Sequence, residues 1–476
     1  MSKRNITLII APVVLALLVG GYYWSTTMAK KKAESATTPY ADFTSIELGN
    51  LESSELVKIE VPGLVLEMKD EVWELASFEG TSPPGIELDQ RQIRILTYSL
   101  ASLRVERIID EEPETLSVYG LDSPASRAMV TDSAGRSALY LLGDMTPSRT
   151  SYYIMEDGDP KVYSVSAYQA EFLRFTLDGI RQRTLFTSFE FADLSLFHLE
   201  DGESWIEIVP KPESVPVYLA SNFTAYIMAS PYQLPRGVDS EALQNFLRPL
   251  DDLTVEDFIV DFGEDFVNDP SSLSPYGLDK PLRVFLEAAG NTLNLAVGNQ
   301  IDGKRYAKLA DSPSVFTLNG LEGFFNLKPI SLVDKFALLI NIATVDHFTI
   351  TGGEKTLSAD IFSPENNPAF FLNGEKAEEK SFRNFYEKVI SLRIEAELPK
   401  TGSSQPDRYP GPSSESDRDI TIEYRLNTPP GARAAFSLLP YNRDFYALRQ
   451  EGTIEFLISR NQVRSVFDAA DALVYE

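Results

Sequence analysis

Cysteine is absent from this chain, and histidine occurs only twice, at His198 and His347. Without thiols there is no disulfide, no thiolate metal site, no cysteine nucleophile and no lipid-modified N-terminal cysteine. A zinc site needs further ligands at short spacing, and a serine triad needs a histidine with a partner. Neither is written here, and the Gly-x-Ser-x-Gly elbow is missing as well. Both histidines therefore read as exposed strand positions. Positive charge is also scarce: 43 Lys and Arg stand against 70 Asp and Glu, for a net −27. Lys3, Arg4, Lys30, Lys31 and Lys32 all precede the first acidic residue, Glu34, so the body after them carries −32. Such a body repels nucleic acid and anionic headgroups, which excludes a nucleic-acid partner.

What is present is ample apolar material. Hydrophobic residues make up 43% and aromatics 11% of 476 residues, enough for two to four folded domains and too much for a disordered chain. Only one run is long and uncharged, Ile6 to Trp24. As a helix it spans roughly 28 Å, about the thickness of a bilayer's hydrocarbon. Tyr22, Tyr23 and Trp24 stand where an interfacial belt belongs. The run exceeds the apolar region of a signal peptide, so an uncleaved transmembrane anchor in the lipid bilayer is expected, with residues 1–5 as a cytoplasmic tail. The simplest topology is a single pass of the cytoplasmic membrane, N-terminus inside, with the body on the extracytoplasmic face. Residues 25–42 are read as a linker, the polar stretch Ala33 to Asp42 being its tether.

The body repeats itself. Three stretches of helical apolar spacing, Arg91 to Ile109, Ser240 to Val260 and Lys380 to Leu398, each contain the same kind of tetrad. The tetrads are Leu103-Arg-Val-Glu106, Leu253-Thr-Val-Glu256 and Leu392-Arg-Ile-Glu395. At each tetrad the period changes from helical to alternating, so a helix feeds a strand. In the first helix Ile95, Leu96, Leu100 and Leu103 form the expected apolar stripe. Three hairpins close the copies, with aromatic pairs Tyr153 and Tyr163, Tyr306 and Phe316, Tyr446 and Phe456, ten residues apart each time. The expected fold class is α+β: an N-terminal transmembrane helix, then three tandem antiparallel-sheet-plus-helix units. The units are residues 43–185, 186–338 and a divergent 339–476, whose Pro/Ser-rich segment 399–419 reads as a mobile surface loop.

The sharpest motif is Tyr-Gly-Leu-Asp-x-Pro, written once as Tyr119, Gly120, Leu121, Asp122 and Pro124 and again as Tyr276, Gly277, Leu278, Asp279 and Pro281. Each glycine supplies the positive φ of a tight turn, and each aspartate can bond the backbone two residues on. Each proline holds Ser123 or Lys280 extended to launch the next strand. Leucine and tyrosine plug the turn into the core. Repetition without chemistry reads as scaffolding, although a ligand role for the aspartate pair stands as the alternative.

Other motifs dissolve on inspection. Gly298 to Arg305, GNQIDGKR, mimics a phosphate loop but lacks the terminal Ser or Thr and is followed by a strand. Glu156 to Pro160, EDGDP, suggests calcium but sits in a hairpin turn. Asn222 heads a glycosylation sequon, too short a pattern to carry an argument by itself. No catalytic residue, cofactor or metal site is called.

The turn motif, the strand ends Leu142-Gly143 and Val297-Gly298, and the hairpin strand from Val162-Tyr163 resemble the bacterial domain of unknown function 4340. The resemblance covers most of the body, best in the first unit and least in the third, which lacks the turn. It implies a membrane-anchored extracytoplasmic protein found beside the permease and ATPase of an ABC transporter and a gliding-type auxiliary component. It implies no activity. The function expected is a non-enzymatic accessory or binding subunit of an ABC-type transport system. A cell-envelope glycan hydrolase and a structural or adhesive surface protein are the alternatives.

Overall fold

A computed structural model describes residues 46–81, 85–187, 189–202, 204–221, 223–261, 269–352, 355–362, 368–399, 419–427 and 430–476. The runs expected as cytoplasmic tail, anchor and linker, and residues 400–418 of the expected loop, lie outside them.

Three large sheets share one plan. The first contains β2 (Leu56–Val61), β3 (Leu64–Lys69), β4 (Val72–Phe78), β6 (Arg107–Asp110), β7 (Ser126–Asp132), β8 (Ser137–Met145), β9 (Ser151–Glu156) and β10 (Val162–Ser166). Its order is β4-β3-β2-β7-β8-β9-β10-β6. A separate two-stranded sheet joins β1 (Ile46–Leu48) to β5 (Leu103–Val105). The second large sheet contains β11 (Leu194–Glu200), β12 (Trp205–Pro210), β13 (Tyr226–Ser230), β14 (Arg236–Gly237), β15 (Phe258–Asp261), β16 (Leu282–Ala288), β17 (Asn291–Ile301), β18 (Lys304–Leu309) and β19 (Ser314–Leu318). Its order is β14-β13-β12-β11-β16-β17-β18-β19-β15. The third contains β20 (Val345–Gly352), β21 (Lys355–Phe362), β22 (Ala369–Leu372), β23 (Glu375–Ala377), β24 (Ala396–Glu397), β25 (Ile420–Asn427), β26 (Pro430–Pro440), β27 (Phe445–Gln450) and β28 (Thr453–Ser459). Its order, β23-β22-β21-β20-β25-β26-β27-β28-β24, repeats that of the second strand for strand. All strand pairs are antiparallel.

Period-two alternation decides which face is buried. In β7, Ala128 and Val130 are buried while Arg127 is exposed; β16 does the same with Val284, Leu286 and Arg283. Against that buried face lie α1 (Gln90–Ala101), α2 (Ser240–Leu247) and α3 (Glu379–Ile390), one helix per sheet, and a fourth helix, α4 (Arg460–Asp471), joins the third core. Helix α1 buries Ile93, Leu96 and Leu100, and Tyr140 of β8 donates its hydroxyl to the Leu100 carbonyl at 2.7 Å. Helix α2 starts where the Asp239 carboxylate accepts the Ala242 N–H, and α3 where Glu378 accepts that of Ser381, each satisfying an orphan donor of a first turn.

The tetrads end each helix in the same way. Leu103 and Val105, Leu253 and Val255, Leu392 and Ile394 are all buried. Each tetrad bonds the chain entering its own sheet. β5 pairs with β1; Val255 N–H donates to the Arg183 carbonyl; and Ile394 N–H donates to the Lys335 carbonyl. Just beyond each tetrad the chain forms the far edge strand, β6, β15 or β24, which pairs with the final strand of its hairpin.

The fold class differs from the α+β expectation. The described structure is mostly β, with 45% strand and 22% helix, in four antiparallel sheets. The helical spacing overstates helix because Leu103, Leu253 and Leu392 continue the apolar stripe after the chain has left the helix. Ile95, counted into that stripe, is exposed, and Ile93 takes the inward place. No N-terminal transmembrane helix belongs to the described fold: among the described residues no helix is long and apolar enough to cross a membrane.

The chain divides into two compact units. One holds the first sheet with Gln90–Ile180; the other holds Arg181–Glu476, and so the second and third sheets together. Within this second unit, residues 211–225 and the hairpin of β13 and β14 reach the third core, where Val217, Tyr218 and Tyr232 pack. Arg236, 4% exposed, bonds Glu455 at 3.1 Å and Gln450 at 2.5 Å and lies over the Phe456 ring. Tyr232 donates to Glu397, and the Gln233 N–H donates to Glu455.

Candidate functional site

The two Tyr-Gly-Leu-Asp-x-Pro turns have the same geometry. Each closes a short 3-10 turn: Gly120 has φ +69 and Gly277 has φ +66, and the next residue's N–H, Leu121 or Leu278, donates back to the Leu116 or Leu273 carbonyl. Leu121 and Leu278 are buried plugs. Tyr119 and Tyr276 are only half-buried, and each meets a hairpin tyrosine edge-to-face, Tyr153 at 5.0 Å and Tyr306 at 5.3 Å. Tyr119 also donates to Asp110 at 2.7 Å, and that bond to an acidic partner raises its pKa. Asp122 is exposed and accepts the N–H of the next residue, Ser123, rather than one two residues on. Asp279 is likewise exposed, and Pro124 and Pro281 are half-buried at the strand entries.

Two further glycines complete the arrangement. A Cβ on Gly143 would stand 2.1 Å from the Tyr119 carbonyl oxygen, and one on Gly298 would stand 2.3 Å from that of Tyr276. No side chain fits such a gap, so the turn lies on the strand only where the strand has glycine. β8 and β17 bulge at these points, between Leu142 and Met145 and between Val297 and Gln300. The third sheet shows the converse. Leu142, Val297 and Leu438 occupy equivalent places, pairing with Ser126, Leu282 and Ile420 at the starts of β7, β16 and β25. The next residue there is Leu439, which is buried with Leu398, Ala447 and Leu457. Tyr446, the counterpart of Tyr153 and Tyr306, is covered by the Arg460 guanidinium at 4.4 Å. In the third sheet a buried leucine stands where the other two have the glycine on which the turn lies.

The remaining candidates are also structural. His347 lies 2.8 Å from Asp360 and His198 3.8 Å from Glu207, each its direct cross-strand partner. Both are half-buried rather than exposed, and they stand on different sheets. The phosphate-loop mimic is a hairpin between β17 and β18, turning at Asp302 and Gly303, both at positive φ, as a two-residue turn between twisted strands requires. In EDGDP, Asp159 accepts from the Tyr163 hydroxyl at 2.6 Å and Glu156 from the Gly49 N–H at 3.0 Å. Burial and then that bond push the Tyr163 hydroxyl up to about 12. Among the described residues no three His, Cys, Asp or Glu side chains gather as a metal site would require. Asn222 lies outside them.

Among the described residues three larger concavities of the second unit stand out. One, of ≈230 Å³, surrounds Arg181, whose guanidinium bonds Asp261 at 2.9 and 2.7 Å and Ser314, and stacks 3.6 Å from the Phe258 ring centre. A second, of ≈420 Å³, is mostly apolar, between Ile340, Ile342, Ile390 and the exposed Phe223. A third, of ≈210 Å³, lies at the second turn, with Lys280, Asn299 and Trp205 on its walls. Sequence reasoning named none of the three, because each joins residues far apart in the chain.

A family model described as Domain of unknown function (DUF4340) matches residues 73–281 and 260–409. The chain belongs to this family. The matched stretches contain both Tyr-Gly-Leu-Asp-x-Pro turns and both strand glycines, and they end before β25 of the third sheet. The DUF4340 match thus spans the turns and the strand glycines that seat them, and the family's description carries no activity. No curated protein and no solved structure matches the chain.

Proposed function

We propose that this protein is a non-enzymatic extracytoplasmic subunit that scaffolds and binds, working as an accessory of an ABC-type transport system. The observation that supports this reading is the fate of the repeated motif. Its glycine sets the turn, its leucine fills the core, its tyrosine meets a hairpin tyrosine edge-to-face and, in the first copy, its aspartate accepts the adjacent amide. A motif consumed by structure leaves no residue for chemistry, and function then lies in what a scaffold presents. The extracytoplasmic location and the transport association come from the sequence and the family resemblance, and both are part of the proposal.

Crosslinking in intact cells followed by mild solubilisation tests it. The expected result is capture of a permease together with its ATPase, and digestion of the body by protease added to spheroplasts. A body protected in spheroplasts, or turnover of a glycan substrate abolished by one Asp or Glu change, would overturn the reading.

A further inference from the structure

The ≈210 Å³ cleft in the second sheet is chemically unlike its surroundings. Trp205 lies on its wall with half its surface, 51%, open to solvent, beside Phe324 and Phe325. An exposed indole beside a concavity is an unusual surface feature. Lys280, Asn299, Asp201 and Ser204 supply the polar part of the lining. Asp201 accepts the Ser204 N–H at 2.8 Å, which folds the rim. Among the described residues the Lys280 ammonium, the Asn299 amide and the Trp205 N–H make no hydrogen bond or ion pair, so donors and an acceptor are left for a guest.

The internal repeats show that this is a specialisation and not a property of the scaffold. Ile208, Leu66 and Ala359 hold equivalent places, each opposite the core residue of the first strand, Phe197, Ile59 or Phe348. Three residues earlier stand Trp205, Gly63 and Thr356. The x of the turn motif is Lys280 in the second copy and Ser123 in the first, and the residue after the strand glycine is Asn299 against Asp144. Only the second sheet combines an indole with a cation and an amide.

We propose that this cleft binds one pyranose unit of a neutral glycan, stacked on Trp205, with its hydroxyls bonded by Asn299, Lys280 and Asp201. Among the described residues one acid and one base line it, and a chain of net −27 repels polyanions. Its volume is below the roughly 300–1,000 Å³ of sites for larger ligands, which suits a single ring. A sugar's C–H face suits an aromatic platform while its hydroxyls both donate and accept, matching planar amide and carboxylate groups. Among the described residues Asp201 is the one carboxylate on the lining, whereas glycoside hydrolysis commonly requires two. The assignment goes beyond the transport association and stands without it.

The test is titration of the full-length chain with chitotriose and with cellotriose, followed by tryptophan fluorescence and calorimetry. Saturable binding of at least one is expected, weakened about tenfold or more by Trp205→Ala and several-fold by Asn299→Ala. Both changes are at exposed positions, so the parental unfolding midpoint should persist and serves as the control for folding. Absence of saturation by either trisaccharide, unchanged affinity in Trp205→Ala, or binding of anionic oligogalacturonate alone would overturn it. Binding accompanied by release of reducing ends would support the sugar assignment while contradicting the non-enzymatic reading.

Discussion

Gly143 and Gly298 hold more of this architecture than the aspartates of the motif they serve. Each lets a backbone carbonyl pass where a Cβ would stand closer than any real contact. Gly143→Leu should therefore displace the first turn and destabilise its sheet by about 1–3 kcal/mol or more, the usual cost of overpacking. Equilibrium urea unfolding measures it. The turn glycines were legible because Gly120 and Gly277 stand inside a repeated motif. The strand glycines were visible as a resemblance, yet their purpose was not, since it depends on a carbonyl twenty-odd positions away in sequence. The same holds for Leu439, whose bulk explains the missing third turn only once β26 is set beside β8 and β17. Buried tyrosines offer a second comparison. Tyr140 has its hydroxyl bonded to Leu100, whereas the Tyr424 hydroxyl is buried with no partner among the described residues. Tyr140→Phe should cost about 1–3 kcal/mol by stranding that helix-end carbonyl, and Tyr424→Phe should be neutral or stabilising. Thermal unfolding of the two variants decides between them.

At the scale of elements, spacing located each helix, and in the first sheet the tetrad marks the change to strand, the helix ending at Ala101 and the strand running Leu103–Val105. What no local pattern announces is the tetrad's backbone partners, which lie in the segment entering the sheet. The hairpins were easier, because alternation and a polar turn are both local. The connection between β12 and β13 is the least legible element. Within it Val217 and Tyr218 pack on the third core, which no local pattern announces. The β13–β14 hairpin then places Arg236 on Glu455 in a buried pair, 5% and 11% exposed at their side chains. Glu455→Ala should cost about 3–5 kcal/mol, because it leaves a buried guanidinium without its carboxylate. Hydrogen exchange should show lost protection in both β14 and β28. Loss confined to β28 would mean that the two sheets are not energetically joined through this pair.

For the whole molecule, one strand order used three times accounts for most of the described chain, and the helices are additions to it. The sequence made the repetition visible but suggested a more even mixture of helix and sheet than the mostly β result. Two sheets share the second unit because that unit contains the connection and the buried pair that join them. The central claim is that the repeated turn motif builds this scaffold and performs no chemistry. The Asp122→Asn/Asp279→Asn double variant tests it most directly, by urea unfolding and by crosslinking in cells on the same protein. The account predicts stability within about 0.5 kcal/mol of the parent, as for surface changes away from special features, and crosslinking to the same partners as the parent. Parental stability with those partners lost would contradict it, and would make the two turns a binding site.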